Sequence, residues 1–327
     1  MTVARRSAGA VAVSMLLFIA GCSGSSSSGK SSGATLTPLP NTSSVGSNPP
    51  STSGTASAPS AGNLYVSIGD SYAAGFQPSA RGSGRTTRNG FAYQLVSGAK
   101  AKGYDLRLTN FGCAGATTTS VLQASGCEHR NLGPGATPYD GETQAAAAEE
   151  FLRAHRGQVA LITVSLGGND ITRCGDAASP AACLSPALAT VKRNLATLLS
   201  GLRTAAGPTT RIVGITYPDV LLGDYLSKTA SVKKLARLSV IAFQGLINPA
   251  LQSAYRAVGG AFVDVTAATG AYGSLTAMTT LAPYGRIPVP VAKVCALTYF
   301  CQFQDIHPRT PGYALIARLI AASLPAR

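Results

Sequence analysis

Ser71 closes the segment Tyr65-Val66-Ser67-Ile68-Gly69-Asp70-Ser71, in which a short apolar run stops at a glycine and an acid and a hydroxyl follow at once. A buried strand that ends this way presents the hydroxyl at its carboxyl end, where open α/β sheets put their active sites. The tripeptide Gly69-Asp70-Ser71 also reads as an ordinary turn followed by a helix cap. Its meaning therefore depends on three further segments. These are Asn110-Phe111-Gly112-Cys113-Ala114-Gly115-Ala116-Thr117, Ser165-Leu166-Gly167-Gly168-Asn169-Asp170 and Asp305-Ile306-His307-Pro308.

Acyl transfer is the chemistry that needs such a set. A serine hydroxyl is hardly ionised at neutral pH and needs a neighbouring base. The chain has three histidines. His129 sits beside Cys127 in a loop, and His155 lies between Arg153 and Arg156 on a solvated helix face. His307 stands in a turn with a carboxylate, Asp305, two residues away, which makes it the candidate base for Ser71. The oxyanion that forms on a carbonyl under attack needs donors aimed at it, each worth roughly 10²–10³ in rate. The N–H of Gly115, the side-chain amide of Asn169 and the N–H of Ser71 suit that role, although Gly115 or Asn169 alone would read as turn chemistry. Asp70 and Asp170 are expected to satisfy backbone N–H groups around strand-end turns rather than to move protons.

Buried strands are predicted at 64–69, 105–111, 159–166, 211–216 and 261–265, from short apolar or β-branched runs bounded by polar or glycine residues. Helical patterns fill about 89–102, 140–155, 186–205, 231–258 and 311–324, the last opening on Thr310-Pro311 as cap and first helical residue. Strands alternating with long crossovers imply a parallel sheet with helices on both faces. In such a sheet the four chemical segments share one edge. The Gly-, Pro- and Tyr-rich stretch 267–304 reads as one long loop. Its Tyr272, Tyr284, Ile287, Val289 and Tyr299 either wall an apolar acyl groove or simply pack over the sheet edge.

Together, and in chain order over 64–324, the four segments resemble the SGNH/GDSL hydrolase family, named for its Ser, Gly, Asn and His. The resemblance implies an α/β fold, a flavodoxin-like three-layer α/β/α sandwich around a central parallel sheet. It also implies hydrolysis of carboxylic esters with no metal and no cofactor, through an acyl-enzyme on Ser71. Gly115 and Asn169 would be oxyanion donors, and His307 the general base and then the acid that protonates the leaving alcohol. The sequence departs from the family at one place. The acid is usually three residues before the His, where this chain has Gln304, and the nearest carboxylate is Asp305. Either Asp305 reaches His307 Nδ1 as a third member, or a main-chain carbonyl near Gln304 orients the ring, as in family members that work as a Ser-His dyad.

The chain ends point to export. Arg5 and Arg6 precede an apolar stretch, Ala8 to Ala20, too short for a comfortable membrane span. Ile19-Ala20-Gly21-Cys22 resembles the lipobox of bacterial lipoproteins, which implies cleavage before Cys22 and lipidation of its thiol. Residues 1–22 are thus expected to be a lipoprotein signal peptide. Residues 23–62, rich in Ser, Gly, Thr and Pro, are expected to be a disordered tether reaching roughly 35 Å by random-coil scaling. Residues 63–327 are left as one catalytic domain. The expected location is the outer face of the cell membrane or the cell envelope, with part of the protein released.

Losing Arg5 and Arg6 lowers the net charge from +14 to +12. The bases are scattered without interleaved aromatics, which excludes a specific nucleic-acid partner and leaves a mild attraction to anionic lipid or cell-wall polymer. A monomer acting on a small-molecule or lipid ester is expected. Besides Cys22 there are six cysteines, an even number suited to disulfides in an exported chain. Six permit fifteen pairings. Their clustering favours Cys113–Cys127, Cys174–Cys183 and Cys295–Cys301, and secreted actinobacterial members of the family look similar. Zinc is disfavoured because no Cys-x-x-Cys occurs.

Two other readings compete with an esterase or lipase. The same machinery would serve an acetylesterase or acyltransferase on cell-wall glycan. A surface lipoprotein that only binds has no need of Ser71, Gly115, Asn169 and His307 together.

Overall fold

Along the first strand, Leu64, Val66 and Ile68 enter one core and Tyr65 enters another, the period-two alternation of a strand buried on both faces. The computed structural model describes residues 62–177 and 179–327. The expected signal peptide 1–22, Cys22 and the tether up to residue 61 lie outside the described residues. The chain runs through β1 (Leu64–Gly69), α1 (Ser71–Ala74), a hairpin of β2 (Phe76–Ala80) and β3 (Ser83–Thr86), α2 (Phe91–Gly98), β4 (Arg107–Asn110) and α3 (Thr118–Gln123). It continues with α4 (Gln144–Ala154), β5 (Val159–Ser165), α5 (Gly168–Thr172), α6 (Pro180–Ala206) and β6 (Arg211–Ile215). Then come α7 (Ala230–Ala242), α8 (Asn248–Ala257), β7 (Ala261–Val263) and α9 (Val265–Ala268). The last elements are a hairpin of β8 (Met278–Leu281) and β9 (Gly285–Pro288), then α10 (Val289–Leu297), α11 (Phe300–Phe303) and α12 (Thr310–Ser323).

β4, β1, β5, β6 and β7 form one sheet in that order, every neighbouring pair parallel. This is the flavodoxin-like order, with the first strand inside and the chain reversing direction across it. α4, α6 and α8 cover one face with Leu152, Leu195, Leu199 and Leu251, while α2 and α12 cover the other with Phe91, Leu95, Tyr313 and Ile320. The result is a three-layer α/β/α sandwich. Its crevice opens where β1 and β5 end, at the point where the strand order reverses.

Three expectations need correction. The segment 267–304 is not a loop: it carries the β8–β9 hairpin, α10 and α11. Its prolines mislead, because Pro290 lies in the first turn of α10, where a missing N–H costs nothing. The helix expected over 231–258 is two helices joined by a π-turn, Phe243–Ile247, with Pro249 in the first turn of the second. The last helix begins at Thr310, so that Arg309 takes the cap position. Among the described residues no helix is long and apolar enough to cross a membrane.

Candidate active site

Gly69 ends β1 at φ 150°, and a Cβ there would stand 2.4 Å from both the carbonyl oxygen and Oγ of Ser165. Only glycine lets β1 and β5 run this close up to the turn. Gln144, at the start of α4, holds the same residue from the side. Its Oε1 accepts from the Gly69 N–H at 2.9 Å and its Nε2 donates to the Gly69 carbonyl at 3.0 Å. The buried N–H at the strand end is thereby satisfied by a side-chain amide, and the carbonyl accepts from the Cys113 N–H at 3.0 Å as well.

Asp70 caps α1, its Oδ1 accepting from the Tyr72 N–H at 2.9 Å, and its Oδ2 accepts from the Tyr217 hydroxyl at 2.6 Å. Burial pushes its carboxyl up to about 6, against the pull of Tyr217, the Tyr72 amide, the His307 charge and Ser165. Asp170 accepts from the N–H and hydroxyl of Thr118, at 3.0 and 2.6 Å, and so joins α5 to the start of α3. Both aspartates fix loops.

Ser71 is the first residue of α1 and is buried. His307 Nε2 lies 2.8 Å from Ser71 Oγ, and His307 Nδ1 lies 2.6 Å from Asp305 Oδ1. The same Asp305 oxygen accepts from the His307 backbone N–H at 2.9 Å, an Asx-type turn. Burial raises the Asp305 carboxyl, but the hydrogen bonds and charge of His307 outweigh it and hold the group below the usual carboxylate value. Asp305 is an ionised partner with its proton site already occupied by the imidazole N–H.

The loop that carries this pair is pinned on both sides. The Tyr72 hydroxyl donates to the Ile306 carbonyl at 2.7 Å, and the Tyr299 N–H donates to the His307 carbonyl at 3.0 Å. The Phe76 ring lies 4.5 Å from the imidazole centroid. Gln304, just before Asp305, sits in the left-handed region at φ 54°, the single non-glycine residue with positive φ among those described. Its side chain points away from the imidazole, with Oε1 accepting from Arg81 Nη1 at 2.8 Å.

The donor candidates divide between two neighbouring spaces. Asn169, on α5 after β5, lines a cavity of about 380 Å³ together with Ser71, Tyr217, Val220, Phe243 and Ile247. Gly115 lines an adjacent cleft that also touches His129. Asn169 Nδ2 joins them by donating to the Ala116 carbonyl at 2.8 Å, which leaves its second hydrogen free. The backbone N–H groups of Ser71 and Gly115 make no hydrogen bond to the described residues. The Tyr217 ring covers the start of α5 so closely that a Cβ on Gly168 would stand 2.8 Å from it.

The remaining predicted residues lie elsewhere. His155 Nδ1 meets the Phe151 carbonyl at 2.8 Å at the end of α4, and His129 opens a short turn. Disulfides join Cys113 to Cys127, Cys174 to Cys183 and Cys295 to Cys301. The first ties down the segment that carries Gly115. None of Tyr272, Tyr284, Ile287, Val289 and Tyr299 lines the cavity beside Ser71. Ile287 and Tyr284 pack in a satellite core with Val291 and Cys295, and the Tyr272 hydroxyl serves Asn248 and Asp264. Of the two readings open for that segment, packing is the one the structure adopts. The apolar wall comes instead from the 3₁₀ run Val220–Leu226 and the π-turn, two irregular stretches without a sequence period.

Sequence reasoning missed Gln144, Tyr72, Tyr217 and Tyr313. Tyr313 donates to the Phe76 carbonyl at 2.8 Å and so joins α12 to the strand that faces His307. Gln144 left one signal, a lone amide on a helix face otherwise made of alanine.

The sequence model of the GDSL-like lipase/acylhydrolase family matches residues 67–315. No curated protein matches the chain. Among solved structures, the chain is similar to an extracellular lipase from Streptomyces rimosus, with 17% identity, TM-score 0.49, and 80% of this chain and 100% of that one covered. It is also similar to an aryl esterase of M. smegmatis, with 12% identity, TM-score 0.42, and 80% and 97% covered. A member of the lipolytic G-D-S-L family from Veillonella parvula shows 13% identity and TM-score 0.41, with 80% and 97% covered.

Proposed function

The chain belongs to the GDSL-like lipase/acylhydrolase family, and from that premise we propose that it is a serine hydrolase of carboxylic esters working through an acyl-enzyme on Ser71. The observation that carries this reading is the unbroken chain from Ser71 Oγ through the imidazole of His307 to Asp305. His307 Nε2 takes the hydroxyl proton as Ser71 Oγ bonds to the ester carbonyl carbon. Asp305 keeps the Nδ1 proton in place and stabilises the imidazolium. The carbonyl electrons move onto oxygen, where the N–H groups of Ser71 and Gly115 and the free hydrogen of Asn169 serve as donors. His307 then returns its proton to the leaving alcohol, the C–O bond breaks, and the acyl group stays on Ser71. Water repeats the sequence with His307 as base and releases the acid.

The cavity supports an acyl group longer than acetyl. Its volume falls within the roughly 300–1,000 Å³ of small-molecule sites. Ile171, Val220, Leu221, Phe243, Ile247 and Leu251 line it and offer an acyl chain apolar contact, with Asn169, Thr172 and Gln304 among the few polar groups beside Ser71. A lipid-like ester is therefore favoured over a cell-wall acetyl group. The exported, membrane-tethered location is part of the same proposal and rests on Cys22 and on disulfides suited to an oxidising compartment.

The test is turnover of p-nitrophenyl esters from acetyl to palmitoyl, with Ser71→Ala as control. Ser71-dependent hydrolysis with an optimum above acetyl is expected. Folded, oxidised protein that turns over no ester would overturn the proposal.

A further inference from the structure

We infer that the outer face of α7 and its π-turn docks on an anionic lipid surface and sets the mouth of the Ser71 cavity against it. The inference rests on the esterase reading only for what enters the cavity. Leu235, Leu238, Ile241 and Leu246 are 47%, 37%, 65% and 53% exposed, an unusual density of large apolar side chains in water. At 100° per residue the first three span a sector of about 120°, while Ala236 and Ser239, on the flank beyond Leu235, are buried against the body of the protein. Leu246 extends the stripe into a groove where Leu184 and Leu188 of α6 meet it. Contiguous apolar surface of this kind marks an interaction site.

Charge selects the occupant. Lys234 lies within the stripe on α7 and Arg237 and Lys233 follow on its flank, while Lys192 and Arg193 line the groove. No Asp or Glu occurs from Tyr225 to Val263, nor anywhere in α6. A helix with leucines on one side, lysines beside them and no acid is built to lie in the headgroup region of an anionic lipid layer.

The position gives the surface a use. Leu221, which is 41% exposed, and Phe243 and Ile247 of the π-turn line the cavity that holds Ser71. The same turn thus carries Leu246 outward and Phe243 and Ile247 inward. A lipid held at the stripe reaches the cavity along apolar side chains without crossing water.

The chain contains no tryptophan, so one introduced residue reports its own surroundings. The full chain would be prepared as Ile241→Trp, and as Ala101→Trp for reference. Ala101 adjoins Lys102, whose carbonyl accepts from the Arg327 N–H at the amino end of the sheet, away from the site. Each is mixed with phosphatidylglycerol vesicles, with phosphatidylcholine vesicles and with phosphatidylglycerol vesicles containing brominated lipid. Docking predicts a blue shift and bromine quenching at position 241 only, with phosphatidylglycerol only, and their loss when Lys233→Glu, Lys234→Glu and Arg237→Glu are added. Tryptophan at 241 that stays in water, or shifts no more than at 101, overturns the inference, as does equal insertion into phosphatidylcholine. Turnover of soluble ester is read on the same samples. Docking without turnover overturns the esterase proposal alone, and turnover without docking overturns this inference alone.

Discussion

His307 Nδ1 and Asp305 Oδ1 are 2.6 Å apart although a single residue separates them in the chain. A carboxylate two residues before a histidine ordinarily faces its backbone, and here it does so too, accepting the His307 N–H at 2.9 Å. It reaches the ring as well because Gln304 turns the chain through φ 54° just upstream. The chain of contacts from Ser71 through His307 to Asp305 thus closes without a carboxylate at position 304.

Asp305→Asn keeps the shape and removes the charge. Its amide no longer holds the imidazole in the tautomer that accepts the Ser71 proton. A fall in kcat of about 10³–10⁴ is expected, as for other wrong-tautomer variants. Steady-state kinetics on a soluble ester measures it, and a loss below about tenfold would show that a main-chain carbonyl orients the ring instead.

Gln304→Val tests the backbone. A β-branched residue at positive φ is strained by roughly 1–2 kcal/mol. Relief of that strain moves Asp305, and misplacement of such a group by about 1 Å costs on the order of 10² in rate. Gln304→Gly removes the Cβ penalty and is expected to keep kcat within about threefold of the parent. Equal kcat for both substitutions would mean that the left-handed turn does not position Asp305.

Gln144→Ala strips two hydrogen bonds from Gly69 in a buried place and leaves its N–H without a partner, while its carbonyl keeps the Cys113 N–H at 3.0 Å. An orphaned backbone group of this kind costs about 1–3 kcal/mol. Urea unfolding should show a loss of roughly 1–3 kcal/mol, and Ser71-dependent turnover should fall with it. A loss under about 1 kcal/mol would mean that the strand end is satisfied in some other way.

Asp219 follows β6 beside the cavity. It is fully buried, with Oδ2 accepting from Ser239 at 2.8 Å and Oδ1 without a hydrogen bond among the described residues. Burial pushes its carboxyl up to about 7 from an ordinary 3.8, with Ser239 and the nearby amides pulling the other way. An aspartate raised in this way holds its proton more tightly folded than unfolded. Its stabilising effect is therefore present at acid pH and is lost as the pH climbs from about 4 through about 7. Asp219→Asn does not titrate. The Tm of Asp219→Asn minus that of the parent should rise by about 3 °C or more between pH 5 and pH 8, at roughly 2–4 °C per kcal/mol. A difference independent of pH would contradict the assignment.

Strand ends were the legible part of this chain. β1 and β5 are bounded by Gly69 and Gly167, so the hydroxyl, amide and imidazole segments stood out as punctuation between periodic runs. Crossover length then implied a parallel sheet with helices on both faces, and the family resemblance implied its flavodoxin-like sandwich. What escaped has a common cause. Gln144 and Tyr217 act on residues 75 and 147 positions away, through contacts that leave no local pattern. The cavity wall is built from a 3₁₀ run and a π-turn, whose residues follow neither a 2.0 nor a 3.6 repeat. The segment 267–304 was misread because prolines at a helix start look like loop prolines until the helix is seen.

The central claim is covalent: the acyl group passes through Ser71 Oγ. The most direct measurement is mass spectrometry of protein quenched in acid milliseconds after mixing with a p-nitrophenyl ester, followed by digestion. The account predicts an added acyl mass on the peptide containing Ser71, absent in Ser71→Ala and accumulating when His307→Ala blocks deacylation of a strongly activated ester. Turnover that persists in Ser71→Ala, or an acyl mass on any other residue, would contradict it.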